Sequence, residues 1–154
     1  MSSSVVMPAR WLVVLGLVLV LAGCGLSLFR AGPQQVTVVA EPAANRDTAT
    51  AVDLVFSYTP EAAARLPDSA LLWFTRKLQL QERFAEGLEV VSLSVAPGQR
   101  VSATLPESGE RRPVRVVAYA WMMTPSGQTP LDLTALRRPV ITIGVDQLEV
   151  APAR

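Results

Sequence analysis

The chain has 154 residues, half of them hydrophobic, and its 14 basic residues nearly balance its 13 acidic ones. Such a balanced surface gives no indication of a nucleic-acid partner or of electrostatic steering. The chain has no histidine, which excludes a Ser-His-Asp or Cys-His nucleophilic site and removes the commonest metal ligand.

The first predicted element is an apolar run of twelve residues after a short polar stretch with one positive charge. Its length lies in the range of about 7 to 15 residues typical of a secretory signal, below the roughly 20 that span a membrane. The run ends in Leu21, Ala22, Gly23 and Cys24, which resembles the lipoprotein signal of bacterial envelope proteins. We therefore expect residues 1–23 to be a signal peptide and Cys24 to carry a covalent lipid.

An uncleaved membrane anchor is the alternative, since no charge occurs between Trp11 and Phe29. Glycines that weaken a spanning helix, and the position of the only cysteine, favour the cleaved signal. Gly25 follows Cys24 where Asp tends to retain sorted lipoproteins in the inner membrane, so Gly25 implies the outer membrane. We expect residues 24–35 to be a lipidated tether on its periplasmic face. An acylated cysteine forms no disulfide, so an apolar core must hold the domain together.

The next part of the chain, residues 36–154, alternates short strand-like segments with turns. These segments are rich in β-branched residues or alternate apolar with polar side chains. They are residues 36–40, 52–58, 91–95, 101–105, 114–121, 140–145 and 148–150. Segment 114–121 is apolar on both faces, which predicts a central strand, whereas 52–58 alternates like a half-buried one. Seven to eight strands predict a mainly β domain, an antiparallel β-sandwich.

A helical insertion at about residues 60–86 interrupts the strands. Thr59 is a capping residue before a proline, and Pro67 ends that first short helix. Asp68 then caps a second helix that stops at Gly87.

Two further features of the insertion and of the chain after it are interpreted structurally. Trp73 and Phe74 lie on the apolar face of the second helix, where core packing explains them. A long loop follows the central strand, with one turn of helix expected near residues 131–136.

No motif for nucleotide binding, hydrolysis or metal binding occurs in the sequence. Asp53, Glu82 and Glu89 stand at polar positions of a strand or helix, and we interpret them as solvated surface. The two basic pairs, Arg111-Arg112 and Arg137-Arg138, are likewise interpreted as solvated loop charges. We expect an interaction protein with no enzymatic activity, no cofactor and no small-molecule substrate.

The order of these elements resembles TssJ, the family of outer-membrane lipoproteins of type VI secretion systems. The residues that carry the resemblance are 21–24, 40–45, 93–99 with their Pro-Gly-Gln turn, and 116–119. The resemblance implies a transthyretin-like β-sandwich with a helical addition. It also implies binding to the periplasmic C-terminal domain of a TssM-like inner-membrane protein, anchoring the membrane complex of the secretion system.

In that family the loop between the first two strands makes much of the partner contact, and here it maps to residues 41–50. Its candidate partner-binding residues are Glu41, Pro42, Ala43, Ala44, Asn45, Arg46, Asp47 and Thr48. The loop contains strand-breaking residues and no large apolar one, so we expect it to be exposed, partly mobile and dispensable for folding. The alternative is an ordinary connection without a partner.

Three other interpretations remain open. The interface could lie on the helical insertion, where an aromatic–basic patch is predicted from Trp73, Arg76, Lys77 and Phe84. A secretin pilotin would need an exposed groove or edge strand. An envelope protein that binds a lipid or small ligand would need an apolar cavity of several hundred Å³.

Overall fold

The computed structural model describes residues 32–107 and 111–153. The predicted signal peptide, Cys24 and most of the tether lie outside the described residues, and so does the turn that the sequence Ser108-Gly109 predicts. The elements in chain order are β1 (Val36–Ala40), β2 (Thr50–Ser57), α1 (Pro60–Ala64), α2 (Ala70–Arg83), β3 (Leu88–Val95), β4 (Arg100–Ala103), β5 (Arg115–Ala120), β6 (Leu131–Asp132), β7 (Pro139–Ile143) and β8 (Leu148–Pro152), with a 3-10 turn at Pro125–Gln128. No helix in the described part of the chain has the length and hydrophobicity needed to cross a membrane.

The eight strands form two four-stranded sheets that pack face to face. One sheet has the order β4-β1-β7-β8 and the other β3-β2-β5-β6. The prediction of a mainly β sandwich with a helical insertion is therefore confirmed. All neighbouring strands in the two sheets pair antiparallel except β1 and β7, which are parallel. In that pair Thr37 lies opposite Val140 and Ala40 opposite Ile143. The sequence pattern does not reveal this exception, because period-two alternation carries no information on strand direction.

The main core lies between the sheets and comes from the inward positions of alternating strands. Val38 and Ile141 of the first sheet and Val52, Leu54 and Val116 of the second are all at most 1% exposed. Their burial explains why the domain needs no disulfide, since removing apolar surface from water is the main favourable term in folding.

A second apolar cluster lies on the outer face of the β2–β5 sheet, beneath α2. Val55 and Val117 contribute to it from the sheet, and Trp73 contributes from the helix. Trp73 is fully buried and stacks on Tyr119, with ring centroids 5.0 Å apart and planes within 11°. The core prediction for Trp73 is confirmed, and so is the central position predicted for β5. The half-buried prediction for β2 is wrong, because α2 covers the face that alternation assigns to solvent.

The prediction that Asp53 lies on the solvated surface is wrong, since this residue is only 2% exposed. One of its carboxylate oxygens accepts hydrogen bonds from Trp73 Nε1 at 2.8 Å and Lys77 Nζ at 3.1 Å. The other accepts from the hydroxyl of Ser92, directly opposite on β3, at 2.6 Å. Glu82 is exposed as predicted, whereas Glu89 is half-buried. A buried carboxylate is stable only when its oxygens are bonded, and these three donors supply that condition.

A second buried polar group ties the helical insertion to the sheet. The Tyr119 hydroxyl donates a hydrogen bond of 2.7 Å to the carbonyl of Pro67, between the two helices. Burial raises the pKa of this hydroxyl well above its ordinary value, so it remains a proton donor at physiological pH.

The helices differ from prediction in three places. The sequence predicts that the second helix stops at Gly87, whereas α2 ends at Arg83 with Phe84 as its C-cap. Thr59 caps α1, and its hydroxyl accepts from Ala62 N. The cap of α2 is Ser69, not Asp68, because the Ser69 hydroxyl accepts from Leu72 N. The predicted helical turn at 131–136 is also wrong: its first residues form β6, which pairs with β5.

We predict that Asp53→Ala lowers the free energy of unfolding by about 2–3 kcal/mol, because it leaves Trp73 Nε1 and the Lys77 ammonium without their buried acceptor. Asp53→Asn keeps a neutral acceptor and should cost less. Glu82→Ala is the matched control, because it removes an exposed carboxylate from α2, the helix of Trp73 and Lys77. It should change stability by no more than about 0.5 kcal/mol. Urea denaturation measures all three variants, and equal midpoints for Asp53→Ala and Glu82→Ala would contradict a role for Asp53 in holding the helix.

Candidate partner-binding site

The sandwich has two ends with different neighbours. One end is the end at which the described chain begins, with Gly32 beside Pro113, and we call it the tether end. We call the distal end the one that carries the loop of residues 41–49. Strand β1 leads directly from one end to the other, and its five residues cover about 17 Å. The candidate partner-binding loop therefore lies at the end of the domain opposite the tether.

Asn45 fixes this loop in place. Its side chain is 1% exposed, and Oδ1 accepts a hydrogen bond of 2.7 Å from Met123 N while Nδ2 donates one of 3.2 Å to Trp121 O. Its backbone N–H donates to Gly144 O at 2.9 Å. One residue thus links the loop to the segment after β5 in one sheet and to the end of β7 in the other.

The tip of the loop has an unusual backbone. Asn45, Arg46 and Asp47 have φ angles of 48°, 55° and 59° in succession. Left-handed backbone is uncommon for residues other than glycine, although Asn and Asp tolerate it best. The Arg46 guanidinium is also 3.0 Å from a carboxylate oxygen of Asp146, with both side chains about half exposed or more. These contacts hold the tip in one defined conformation.

The predicted partner-binding residues divide into two groups in the structure. The exposed group comprises Glu41, Pro42, Ala43, Arg46, Asp47 and Thr48, whereas Ala44 and Asn45 are buried. The expectation of an exposed loop is therefore wrong for Ala44 and Asn45, and Asn45 forms a buried hydrogen-bonding link between the sheets. The preference of Asn for left-handed turns is the signal that could have identified its position.

Sequence reasoning missed an apolar surface beside the loop. Leu71, Trp121 and Met123 are 53%, 40% and 60% exposed, and we call them the distal patch. They line an open groove of about 550 Å³ with Ser69, Met122, Thr124, Pro125 and Gln128. The ring of Trp121 meets Phe74 edge-on, with centroids 5.6 Å apart. Alternation does not predict this exposure, because Trp121 and Met123 follow the end of β5.

The burial of Met122 explains why Trp121 and Met123 are exposed. Its side chain is 2% exposed and packs against Gly127, where an added Cβ would lie 2.5 Å from Met122 Cγ. The inward side chain of Met122 leaves Trp121 and Met123, its two chain neighbours, at the surface. Of the two methionines, only Met122 packs inward at the end of β5.

The aromatic–basic patch predicted on the helical insertion is not an exposed surface. Trp73 is fully buried, and Lys77 is bonded to the buried carboxylate of Asp53. Phe84 packs against the second cluster, which leaves only Arg76 exposed. Within the described ranges no group of three acidic or cysteine side chains is arranged to hold a metal ion.

Comparison with known proteins gives matches at the level of structure. No family model matches the sequence, and no curated protein does so either. The structure of Lip from Serratia marcescens, a membrane-bound component of the type VI secretion system, has a TM-score of 0.56 and 10% identity over 80% of this chain and 99% of that one. The type VI secretion lipoprotein TssJ1 from Pseudomonas aeruginosa has a TM-score of 0.53 and 19% identity, covering 79% and 99%.

The chain has the fold of TssJ. A third match agrees: a chain from the structure described as the C-terminal domain of the type VI secretion protein TssM from EAEC has a TM-score of 0.54 and 14% identity, covering 76% of this chain and 98% of that one. These structures are matched over nearly their whole length, so the two sheets and the helical insertion together form the shared unit.

We predict that Asn45→Gly destabilises the domain by about 1–3 kcal/mol, because glycine keeps the left-handed backbone but removes both side-chain hydrogen bonds. Asp47→Gly is the matched control: it meets the same backbone requirement at an exposed position and should leave stability unchanged or slightly higher. Thermal unfolding distinguishes them. Equal melting temperatures for the two variants would show that the side chain of Asn45 has no role in joining the sheets.

Proposed function

We propose that this chain is an outer-membrane lipoprotein that binds the periplasmic C-terminal domain of a TssM-like inner-membrane protein. In this role it anchors the membrane complex of a type VI secretion system. The single observation that carries the proposal is the arrangement of the TssJ fold here, with the start of the described chain at one end and the loop and distal patch at the other.

The anchor of this arrangement is Cys24, with Leu21, Ala22 and Gly23 as the recognition sequence before it. Gly32 lies eight positions after Cys24, so the tether end of the domain lies within about 29 Å of the lipidated residue. This short tether keeps the domain near the outer membrane. The distal end then faces the periplasm, the direction from which an inner-membrane partner approaches.

The surface proposed to bind that partner consists of the exposed loop residues and the distal patch. Tryptophan and methionine are enriched at protein interfaces, and an anchor of this kind contributes most when polar groups surround it. Arg46, Asp47 and Asp146 supply that polar rim. Since Asn45 bonds the backbone of both Trp121 and Met123, the loop and the patch form one rigid surface.

Ligand carriage is less well supported by the geometry. A lipid carrier built on a sandwich would hold its ligand between the sheets, but that space is filled by Leu54, Val116 and Ile141, all fully buried. The groove beside the distal patch is open to solvent, as suits a protein side chain.

The anchoring step is tested by Cys24→Ser, which removes the acylated sulfur. We expect fatty-acid label on the wild-type protein and none on the variant. The fold of the variant should be intact, since every described strand begins at or after Val36. Metabolic labelling and circular dichroism measure the two properties, and label retained on the variant chain would overturn the lipoprotein assignment.

Partner binding is tested by Met123→Asp in the distal patch. We expect at least a tenfold loss of affinity for the C-terminal domain of the TssM-like protein, about 1.4 kcal/mol or more, with little change in melting temperature because Met123 is largely exposed. Leu78→Asp is the matched control, since Leu78 is 71% exposed on α2. Calorimetric titration compares the variants, and equal affinities would place the interface away from the distal end.

A further inference from the structure

Both basic pairs lie at the tether end of the sandwich. Arg111 and Arg112 directly precede Pro113, which packs on Gly32 at the start of the described chain. Arg137 lies beside the same segment, because its carbonyl accepts a hydrogen bond of 2.7 Å from Gln34 N. The two pairs are far apart in sequence, yet the fold places them on either side of the point where the tether enters the domain.

The arginines at this end differ in how they are paired. Arg111 donates to Glu89 Oε1 at 3.0 Å and to the carbonyl of Glu86 at 2.9 Å, and its guanidinium lies 4.8 Å from the centre of the Tyr58 ring. This arginine is therefore occupied with structural contacts.

Arg115 is also compensated, lying 3.3 Å from a carboxylate oxygen of Asp132. Burial alone would raise the pKa of Asp132, but hydrogen bonds from Thr134 and Arg115 hold that pKa below its ordinary value. Asp132 thus carries its charge at neutral pH and neutralises Arg115.

Arg137 and Arg138 are available to an external anion. Both are exposed, and within residues 32–107 and 111–153 neither has a carboxylate within ion-pair distance. Arg112 is exposed on the other side of the tether. We call Arg137 and Arg138 the basic face. Glu86 and Glu107 are exposed carboxylates at this end as well, and they reduce the positive potential without being paired to either Arg137 or Arg138.

The distal end carries the opposite balance. Its exposed carboxylates are Glu41, Asp47, Asp146 and Glu149, against the two arginines Arg46 and Arg100. The near-zero net charge of the chain therefore conceals a separation of charge along the axis from the tether to the distal end.

We propose that the basic face docks on the phosphate groups of anionic phospholipids in the bilayer that holds the anchor. The inference rests on the lipid anchor of the proposed function, because the tether brings the face close to the headgroups. Exposed charges are screened beyond about 8 Å at physiological ionic strength, and a short tether brings arginines within that range. Docking through this face would direct the acidic distal end, with its patch, away from the membrane.

The test uses residues 25–154, which carry no lipid and contain both sheets and both apolar clusters. Co-sedimentation is measured with vesicles of phosphatidylcholine and with vesicles that also contain phosphatidylglycerol. We expect binding only to the second kind, weakened by salt. Replacing Arg137 and Arg138 by serine should reduce the affinity for these vesicles about tenfold. The matched control, Arg76→Ser with Arg100→Ser, removes the same charge from exposed positions elsewhere and should stay within about twofold of the wild type.

A competition arm separates a lipid surface from free phosphate, which presents the same chemistry. Inorganic phosphate and sodium chloride at equal ionic strength should displace the protein from vesicles equally. Selective displacement by phosphate would overturn the proposal in favour of a small-anion site. Equal binding to both kinds of vesicle, or an equal loss in both double variants, would also overturn it.

The variant with Arg137→Ser and Arg138→Ser is also titrated with the C-terminal domain of the TssM-like protein. We expect no change in that affinity, since the basic face lies at the end opposite the distal patch. If the protein binds the partner domain but not the vesicles, only the lipid-docking inference is overturned. Vesicle binding that is present while partner binding is absent supports the basic face and overturns the proposed function instead.

Discussion

The carboxylate of Asp53 is the constraint on which the rest of this structure depends. A charge buried beneath a helix is tolerated only if its oxygens are bonded, and Trp73, Lys77 and Ser92 provide the three bonds. Two of these donors belong to α2, so the carboxylate sets the position of that helix on the sheet. Because Ser69, the N-cap of α2, lies beside Trp121, the position of α2 also determines where Leu71 lies in the distal patch.

A second polar link, Asn45, prepares the distal end for binding. The loop tip is left-handed over three residues and is bonded to both sheets, so its exposed side chains are already ordered in the free protein. Ordering a loop on association costs free energy, and a surface that is ordered beforehand avoids that cost. The loop is thus at once a structural joint and the proposed recognition element, which is why deleting it would not separate the two roles.

The proposed function depends on the arrangement of the surfaces of the domain. Its two ends differ in charge and in hydrophobicity, and β1 connects them directly. The tether end presents Arg137 and Arg138, whereas the distal end presents acidic residues around Trp121 and Met123. A rigid sandwich between two unlike ends is well suited to hold a partner at a set distance and direction from a membrane.

The sequence by itself determined seven of the eight strands in the described residues, the helical insertion and the sandwich class, because alternation, turns and helix signals depend on residues close together in the chain. It also predicted the burial of Trp73 and the central position of β5. Only the tertiary structure decided the parallel pairing of β1 with β7, the burial of Asp53 and Asn45, and the exposure of Trp121 and Met123. Each of these depends on which segments meet across long separations in the chain: α2 covers the polar face of β2, and the segment after β5 receives the loop. Local periodicity contains no information about contacts between distant segments. The polar links and the proposed binding surface beside them are therefore found only in the assembled sheets.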